Sequence, residues 1–143
     1  MTKTLSVMKT FVFISALFIL ASCDVYYIEP EPIYDPRDQF TGSFDVSEYS
    51  STYDENWEYG LSVYKSGSRT SEVILDNFYN SGLRVRAYVN GTRLDIPWQV
   101  VEGYQVQGNG YISGNKLTLS YYVKDTYADY PLKDFCDATG WRF

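Results

Sequence analysis

The sequence predicts an all-β fold: an antiparallel meander of seven to eight strands, closed as a small barrel or folded as a two-layer sandwich. Three observations carry this expectation. From Gln39 onward apolar and polar residues alternate, which is the period of a half-buried strand. Turn signals rich in Gly, Asn and Ser cut the alternating runs into short pieces joined in chain order. After Cys23, no window of ten or more residues has a convincing helical period.

The first strand places Phe40, Gly42, Phe44 and Val46 on one face and Thr41, Ser43, Asp45 and Ser47 on the other. Beyond a polar loop around Ser50 to Asn56, Trp57, Tyr59, Leu61 and Val63 form a second inward row, ended by Ser66-Gly67. The third strand, Glu72 to Phe78, has apolar residues on both faces, Val73 and Leu75 against Ile74 and Phe78, so alternation alone does not orient it. Asn80-Ser81-Gly82 turns the chain into a fourth strand with Leu83, Val85, Ala87 and Val89 inward and Arg84, Arg86 and Tyr88 outward. Asn90-Gly91 follows, and both residues accept the positive φ of a type I′ hairpin turn.

The fifth strand, Thr92 to Val101, puts Leu94, Ile96, Trp98 and Val100 on one side, and Pro97 removes a ladder donor, so a bulge or an edge is expected there. Gly103, Gly108, Gly110 and Gly114 lie in or beside the sixth strand, Tyr104 to Ser113, a density suited to sharp coiling or close backbone approach. Gly114-Asn115 leads into Lys116 to Lys124, where Leu117, Leu119, Tyr121 and Val123 face inward. A looser segment from Phe135 to Phe143 is expected to add an edge strand. If there are eight strands in a barrel, side chains just fill the interior or leave room for one small ligand.

Two segments of different character precede the domain. Residues 1 to 22 have the parts of a secretory signal helix: Lys3 and Lys9, then the apolar run Phe11 to Leu20 broken only by Ser15, then small residues. That run is well short of the roughly 20 residues a membrane-spanning helix needs. Residues 23 to 38 hold Pro30, Pro32 and Pro36 among Glu29, Glu31, Asp35 and Asp38, the composition of an extended, partly polyproline-II tether. At about 3.1 Å per residue it reaches roughly 45 Å at most. Tyr26, Tyr27, Ile28, Ile33 and Tyr34 are unusually apolar for a spacer, and either fold back onto the domain or meet a partner. The chain thus divides into a signal peptide (1–22), an acidic Pro-rich tether (23–38) and an all-β domain (39–143).

Leu20-Ala21-Ser22-Cys23, directly behind the apolar run, resembles the lipobox of bacterial lipoproteins. The resemblance implies that Cys23 becomes the first residue after cleavage, with a diacylglyceryl group on its sulfur and usually an acyl chain such as palmitate on its amine. Membrane lipid is then the expected partner, and several acyl chains make release slow, because each buried methylene contributes about 0.8 kcal/mol. The acids behind Cys23 resemble surface-export signals of Bacteroidetes lipoproteins, whereas in other Gram-negative bacteria an Asp in the place of Asp24 goes with inner-membrane retention. The expected location is the outer membrane, with the leaflet left open.

The domain resembles small lipocalin-like lipoproteins of the Bacteroidetes through Phe40-Thr41-Gly42-Ser43-Phe44, Val85 to Gly91 running into Leu94-Asp95-Ile96-Pro97, Gly108-Asn109-Gly110, and Leu117 to Val123. This resemblance implies a fold and no active site, and the Gly-x-Trp signature of true lipocalins is missing.

Removing residues 1 to 22 leaves 121 residues with 10 Lys and Arg against 18 Asp and Glu, a net charge of −8. Such acidity excludes nucleic acid and anionic head groups as favoured partners. The chain has no histidine, so Ser-His-Asp and Cys-His catalytic arrangements are impossible and the commonest transition-metal ligand is lacking. It has no phosphate loop or dinucleotide fingerprint. Neither a cofactor nor an enzymatic activity is expected.

The acids at Asp54 and Glu55, at Asp76 and Asp95, and at Asp125, Asp129, Asp134 and Asp137 read as a solvated surface without EF-hand spacing. If Cys23 is lipidated, Cys136 is a lone thiol, either a small semi-buried hydrophobe or a reactive group near Lys133 and Arg142.

The positive signal is aromatic, with 15 Tyr, 8 Phe and 3 Trp. Tyr64, Tyr88, Tyr111 and Tyr122 fall on the outward register, where they suit sugar stacking, protein contact or plain cross-strand pairing. A membrane-anchored structural or binding module is the function expected. One alternative is a carrier of a small apolar ligand, which requires a continuous internal cavity; another is a glycan or protein binder, which requires one flat aromatic patch.

Overall fold

Each alternating run of the sequence becomes a strand, and the strands close on themselves. The structure, a computed structural model, describes residues 34–67 and 71–143. It contains β1 (Gly42–Ser50), β2 (Glu55–Lys65), β3 (Glu72–Phe78), β4 (Leu83–Asn90), β5 (Arg93–Val101), β6 (Tyr104–Ser113), β7 (Lys116–Asp125) and β8 (Lys133–Arg142). Neighbours in sequence pair antiparallel, and β8 pairs with β1, giving an eight-stranded closed barrel. The loose edge expected from Phe135 is therefore corrected: β8 begins at Lys133 and is bonded on both sides, to β7 and to β1. Closure leaves no sheet edge to protect.

The inward rows are the apolar rows of the sequence. Phe44, Leu61, Leu75, Val85, Leu94 and Leu119 come from six different strands and are all fully buried along the barrel interior. The outer wall carries Asp45, Ser47, Glu58, Ser62, Arg84 and Arg86, all exposed. Apolar inside and polar outside is the reverse of a barrel that faces lipid. Among the described residues, no helix is long and apolar enough to cross a membrane.

Two bulges explain where alternation misleads. On β3 the register shifts between Asp76 and Phe78, with Asn77 at φ 67°. One extra residue there lets Val73, Leu75 and Phe78 share the inward face, so the two-faced pattern is one face with an insertion. On β5 the register shifts between Ile96 and Gln99, around Pro97. This inverts the phase of the strand's second half, and the inward placing of Trp98 and Val100 is corrected: they are 58% and 53% exposed.

Gln99 takes the inward position instead, and its amide replaces the missing ladder bonds. Its Oε1 accepts from the Arg86 amide at 3.1 Å, while its Nε2 donates to the carbonyls of Arg86 (2.8 Å) and Pro97 (3.2 Å). A buried amide that makes these bonds is satisfied where an apolar side chain would leave the Arg86 backbone groups without partners.

The chain enters at one end of the barrel and closes it. Pro36–Gln39 forms a 3₁₀ turn, started by Pro36 and capped by Asp35, whose carboxylate accepts from the Arg37 amide at 3.0 Å. Arg37 reaches the carbonyls of Ser66 and Glu72, Lys65 bridges Asp35 and Asp38, and the Arg142 guanidinium donates to the Gln39 carbonyl. The Arg37 and Lys65 side chains hold the Asp35 carboxyl well below the usual carboxylate range. Phe40, with no exposed surface, plugs the interior behind this turn.

The tether's last residues are thus part of the domain rather than an extended spacer, because Pro36 and Asp35 favour a helical first turn as readily as polyproline II. Tyr34 remains 69% exposed. The signal peptide, Cys23 and the tether up to residue 33 lie outside the described residues.

Candidate functional site

The opposite end of the barrel is polar inside. The inward row of β1 runs Phe44, Val46, Glu48, Ser50, so a carboxylate and a hydroxyl succeed two apolar residues on the same buried face. Register brings partners to them: Glu48 lies opposite Trp57 on β2 and Ala138 on β8, and Ser50 opposite Glu55 and Cys136. Cys136 in turn lies opposite Tyr121, which faces Gly108 on β6. Because position 108 has no side chain, the Cβ and backbone of Tyr121 pack directly against it, and the Tyr121 ring lies 4.3 Å from the Phe78 ring.

Two buried carboxylates organise this end. Glu48 is 2% exposed, and its Oε2 accepts from the Tyr59 phenol at 2.5 Å and from the Tyr121 phenol. Asp134 is 4% exposed; its Oδ1 accepts from Ser50 Oγ at 2.5 Å and its Oδ2 from the Tyr79 phenol at 2.7 Å. Ser50 Oγ also accepts from the Tyr53 amide at 3.1 Å, which leaves its own proton for Asp134.

Burial, and then the charge of Glu48, pushes the Tyr59 phenol far above its ordinary value; burial with Tyr59 and Glu48 does the same to Tyr121. Burial and the bond to Asp134 raise Tyr79. These phenols therefore stay protonated and act as hydrogen-bond donors.

Tyr79 reaches Asp134 from a strained turn. Tyr79 and Asn80 both have positive φ, 57° and 50°. For a bulky side chain that conformation costs of the order of 1–3 kcal/mol, and it persists only where the surroundings impose it. Asn77 imposes it here, accepting from the Gly82 amide at 3.0 Å and donating to the Gly60 carbonyl at 2.7 Å.

Above the carboxylates opens a pocket of about 380 Å³. Its acids are Glu48, Glu55 and Asp134, its rings are Tyr53, Trp57 and Tyr79, and among the described residues no Lys or Arg lines it. The volume is within the range of small-molecule sites, about 300–1,000 Å³. Trp57, on the inward register of β2, is 47% exposed because the barrel is open at its level. Among the described residues, no group of three or more Cys, Asp or Glu side chains is placed to hold a metal ion.

The tyrosines singled out by register lie elsewhere and do not form one face. Tyr64 is on β2, Tyr88 on β4, Tyr111 on β6 and Tyr122 on β7. Tyr88 and Tyr111 border one shallow depression across β5, while Tyr122 borders another, where Gly108 leaves a gap, and meets Phe135 with ring centroids 6.1 Å apart. Tyr122 is further occupied by the Lys133 ammonium, 4.0 Å from its ring centre. A single flat aromatic patch is therefore not what these four rings build: β2, β4 and β6 are each separated by an intervening strand, and on the adjacent β6 and β7 Tyr111 lies opposite Thr118 while Tyr122 lies opposite Gln107, four residues along the ladder.

The sequence does not group the residues of the mouth as a site, and its reading of Asp134 as part of a solvated acidic surface is corrected, since register on β8 turns that side chain inward, 4% exposed. One signal for the site was present. Glu48 extends the period-2 row of Phe44 and Val46, and an acid on an apolar face is the informative exception.

Cys136 belongs to the same layer. It is 2% exposed, and burial, followed by the charges of Glu48 and Asp134, pushes its thiol far above the ordinary value. It is a small buried side chain, and a reactive thiolate is not expected. Iodoacetamide at pH 8 should leave Cys136 unmodified in the native protein over an hour and label it fully in 6 M guanidinium, as read by intact mass. Native labelling as fast as that of an exposed thiol would contradict the burial.

No family model matches the chain, and no curated protein matches it. Among solved structures, it is similar to a redesigned β-barrel, with a TM-score of 0.50 and 10% identity over 79% of this chain and 99% of that one. At that identity the likeness extends to the fold alone.

Proposed function

We propose that this chain is a lipid-anchored bacterial binding module, held at the outer membrane through acylated Cys23, which takes a small ligand into the open mouth of its barrel. One observation carries the reading: the pocket lies at the end of the barrel opposite the Pro36–Gln39 turn through which the tether enters. The Pro36–Gln39 turn closes the other end of the barrel, so this part of the chain does not cover the mouth.

The polar outer wall supports a body that stands clear of lipid. The apolar side chains along the axis argue against a carrier that encloses an apolar ligand at its centre. Binding is favoured over catalysis because the two buried acids at the mouth, Glu48 and Asp134, are committed to phenols and a serine hydroxyl, and the chain has no histidine to move protons near neutral pH.

The anchor is tested by intact mass of membrane-extracted protein against a Cys23→Ala variant. The expected result is a chain starting at Cys23 with acyl groups, lost in the variant; an unacylated chain in the soluble fraction would overturn it. The pocket is tested in a Trp98→Phe, Trp141→Phe background, where Trp57 is the remaining indole. A panel of small cationic, neutral and anionic compounds should contain members that change its fluorescence saturably. If no compound of any charge class does so, the binding reading fails.

A further inference from the structure

The mouth pocket is lined by two buried carboxyl groups, Glu48 and Asp134, which pair with no Lys or Arg among the described residues. Both accept from hydroxyl groups: Glu48 from Tyr59 and Tyr121, Asp134 from Ser50 and Tyr79. Ion pairs in the described residues join Arg37 and Lys65 to Asp35, Lys65 to Asp38, and Arg84 to Asp76; none involves Glu48, Glu55 or Asp134. Hydroxyl bonds satisfy lone pairs but do not neutralise charge, and buried charges are ordinarily paired. A mouth lined by three carboxyl groups and, among the described residues, by no lysine or arginine suits a cationic ligand better than a neutral or anionic one.

The lining specifies which kind. Tyr53 and Trp57 stand 53% and 47% exposed at the rim beside the half-buried Tyr79, and aromatic faces attract cations while offering apolar area to the body that carries them. A bare metal ion would need a set of converging ligands that these residues do not provide. A neutral polyol would find donors and acceptors but gain nothing specific from the three aromatic rings and three carboxyl groups together, and an anion would meet no Lys or Arg among the described residues of the lining. The chain's excess of acids over bases raises the local concentration of cations around it.

We propose that the mouth pocket binds a small organic ammonium ion, a protonated amine on an apolar body, with its N–H groups toward Glu48 and Asp134 and its body against Trp57, Tyr53 and Tyr79. This rests on the pocket being a binding site, and the test separates the two ideas. Trp57 is the fluorescent reporter in the detergent-solubilised full chain carrying Trp98→Phe and Trp141→Phe. The probes share one skeleton and differ in charge: 2-phenylethylamine, 2-phenylethanol and phenylacetate.

The amine is expected to bind at least tenfold more tightly than the alcohol, with phenylacetate weakest. Raising the salt concentration should narrow the gap between amine and alcohol. In a Glu48→Gln, Asp134→Asn variant, whose amide oxygen at position 48 still accepts from both phenols and whose amide oxygen at position 134 keeps one of its two hydroxyl donors, the amine should lose at least tenfold while the alcohol is unchanged. Should that variant melt far below the parent, Glu55→Gln at the exposed rim replaces it, and the amine should weaken severalfold there with no change in melting.

Equal binding of amine and alcohol, or tighter phenylacetate, would overturn the ammonium assignment and leave the pocket a site for another class. No response to any of the three probes would also overturn it. If the broader panel is silent as well, the binding reading falls with it.

Discussion

Gly108→Ala is expected to destabilise the barrel by about 2–3 kcal/mol, the range of overpacking where the neighbour is backbone. A Cβ at this position would lie 2.5 Å from the Ser120 carbonyl oxygen and 2.7 Å from the Tyr121 Cα, separations that real contacts do not show. No rotamer relieves a clash with backbone, so β6 and β7 must part locally. Tyr121, whose Cβ lies against Gly108 and whose phenol donates to Glu48, must move with them.

Gly60→Ala is the control, because a Cβ there meets nothing within 4 Å. It should be neutral or slightly stabilising, since alanine loses less backbone entropy on folding. At about 4–8 °C per kcal/mol for a domain near this size, thermal unfolding followed by circular dichroism should show Gly108→Ala lower by roughly 10 °C or more. Equal melting of the two variants would mean that β6 does not approach β7 as closely as described.

Replacing Glu48 by alanine is expected to cost about 3 kcal/mol or more. The phenols of Tyr59 and Tyr121 share its Oε2, and its removal leaves two buried donors without an acceptor, each worth about 1–3 kcal/mol. Glu48→Gln should cost much less, since the amide oxygen still accepts. Tyr59→Phe should fall between them, because it deletes one donor while Tyr121 keeps the carboxylate partnered. Urea unfolding of the three variants gives the order directly. An alanine variant within 1 kcal/mol of the parent would show that water reaches both phenols and that the layer is not sealed as the burial implies.

The contrast between Glu48 and Trp98 shows what period-2 alternation can and cannot convey. For Glu48, alternation from Phe44 and Val46 already marks an inward position, and only its partners were missing. They come from Tyr121, 73 residues away, and for the neighbouring Ser50 from Asp134, 84 residues away. For Trp98, alternation itself failed, since the bulge between Ile96 and Gln99 adds one residue and exchanges the faces. Pro97 announced an irregularity in the ladder, but nothing local says whether a bulge or an edge will result.

The sequence by itself determined most strands, where the turns fall and which face of most strands is apolar, because these follow from side-chain alternation and from the φ that Gly tolerates. The Asn90-Gly91 turn is corrected to Gly91-Thr92, with Asn90 paired to Arg93 at the end of β4 and positive φ at Gly91 but not at Asn90. Tertiary structure alone decided closure. Whether β8 ends as an edge or bonds to β1 depends on hydrogen bonds between the two ends of the domain, such as those that set Val46 opposite Gly140. It also decided the site: Glu48, Asp134, Trp57 and Tyr79 sit on different strands and turns, and only the shared register of a closed sheet brings them to one mouth.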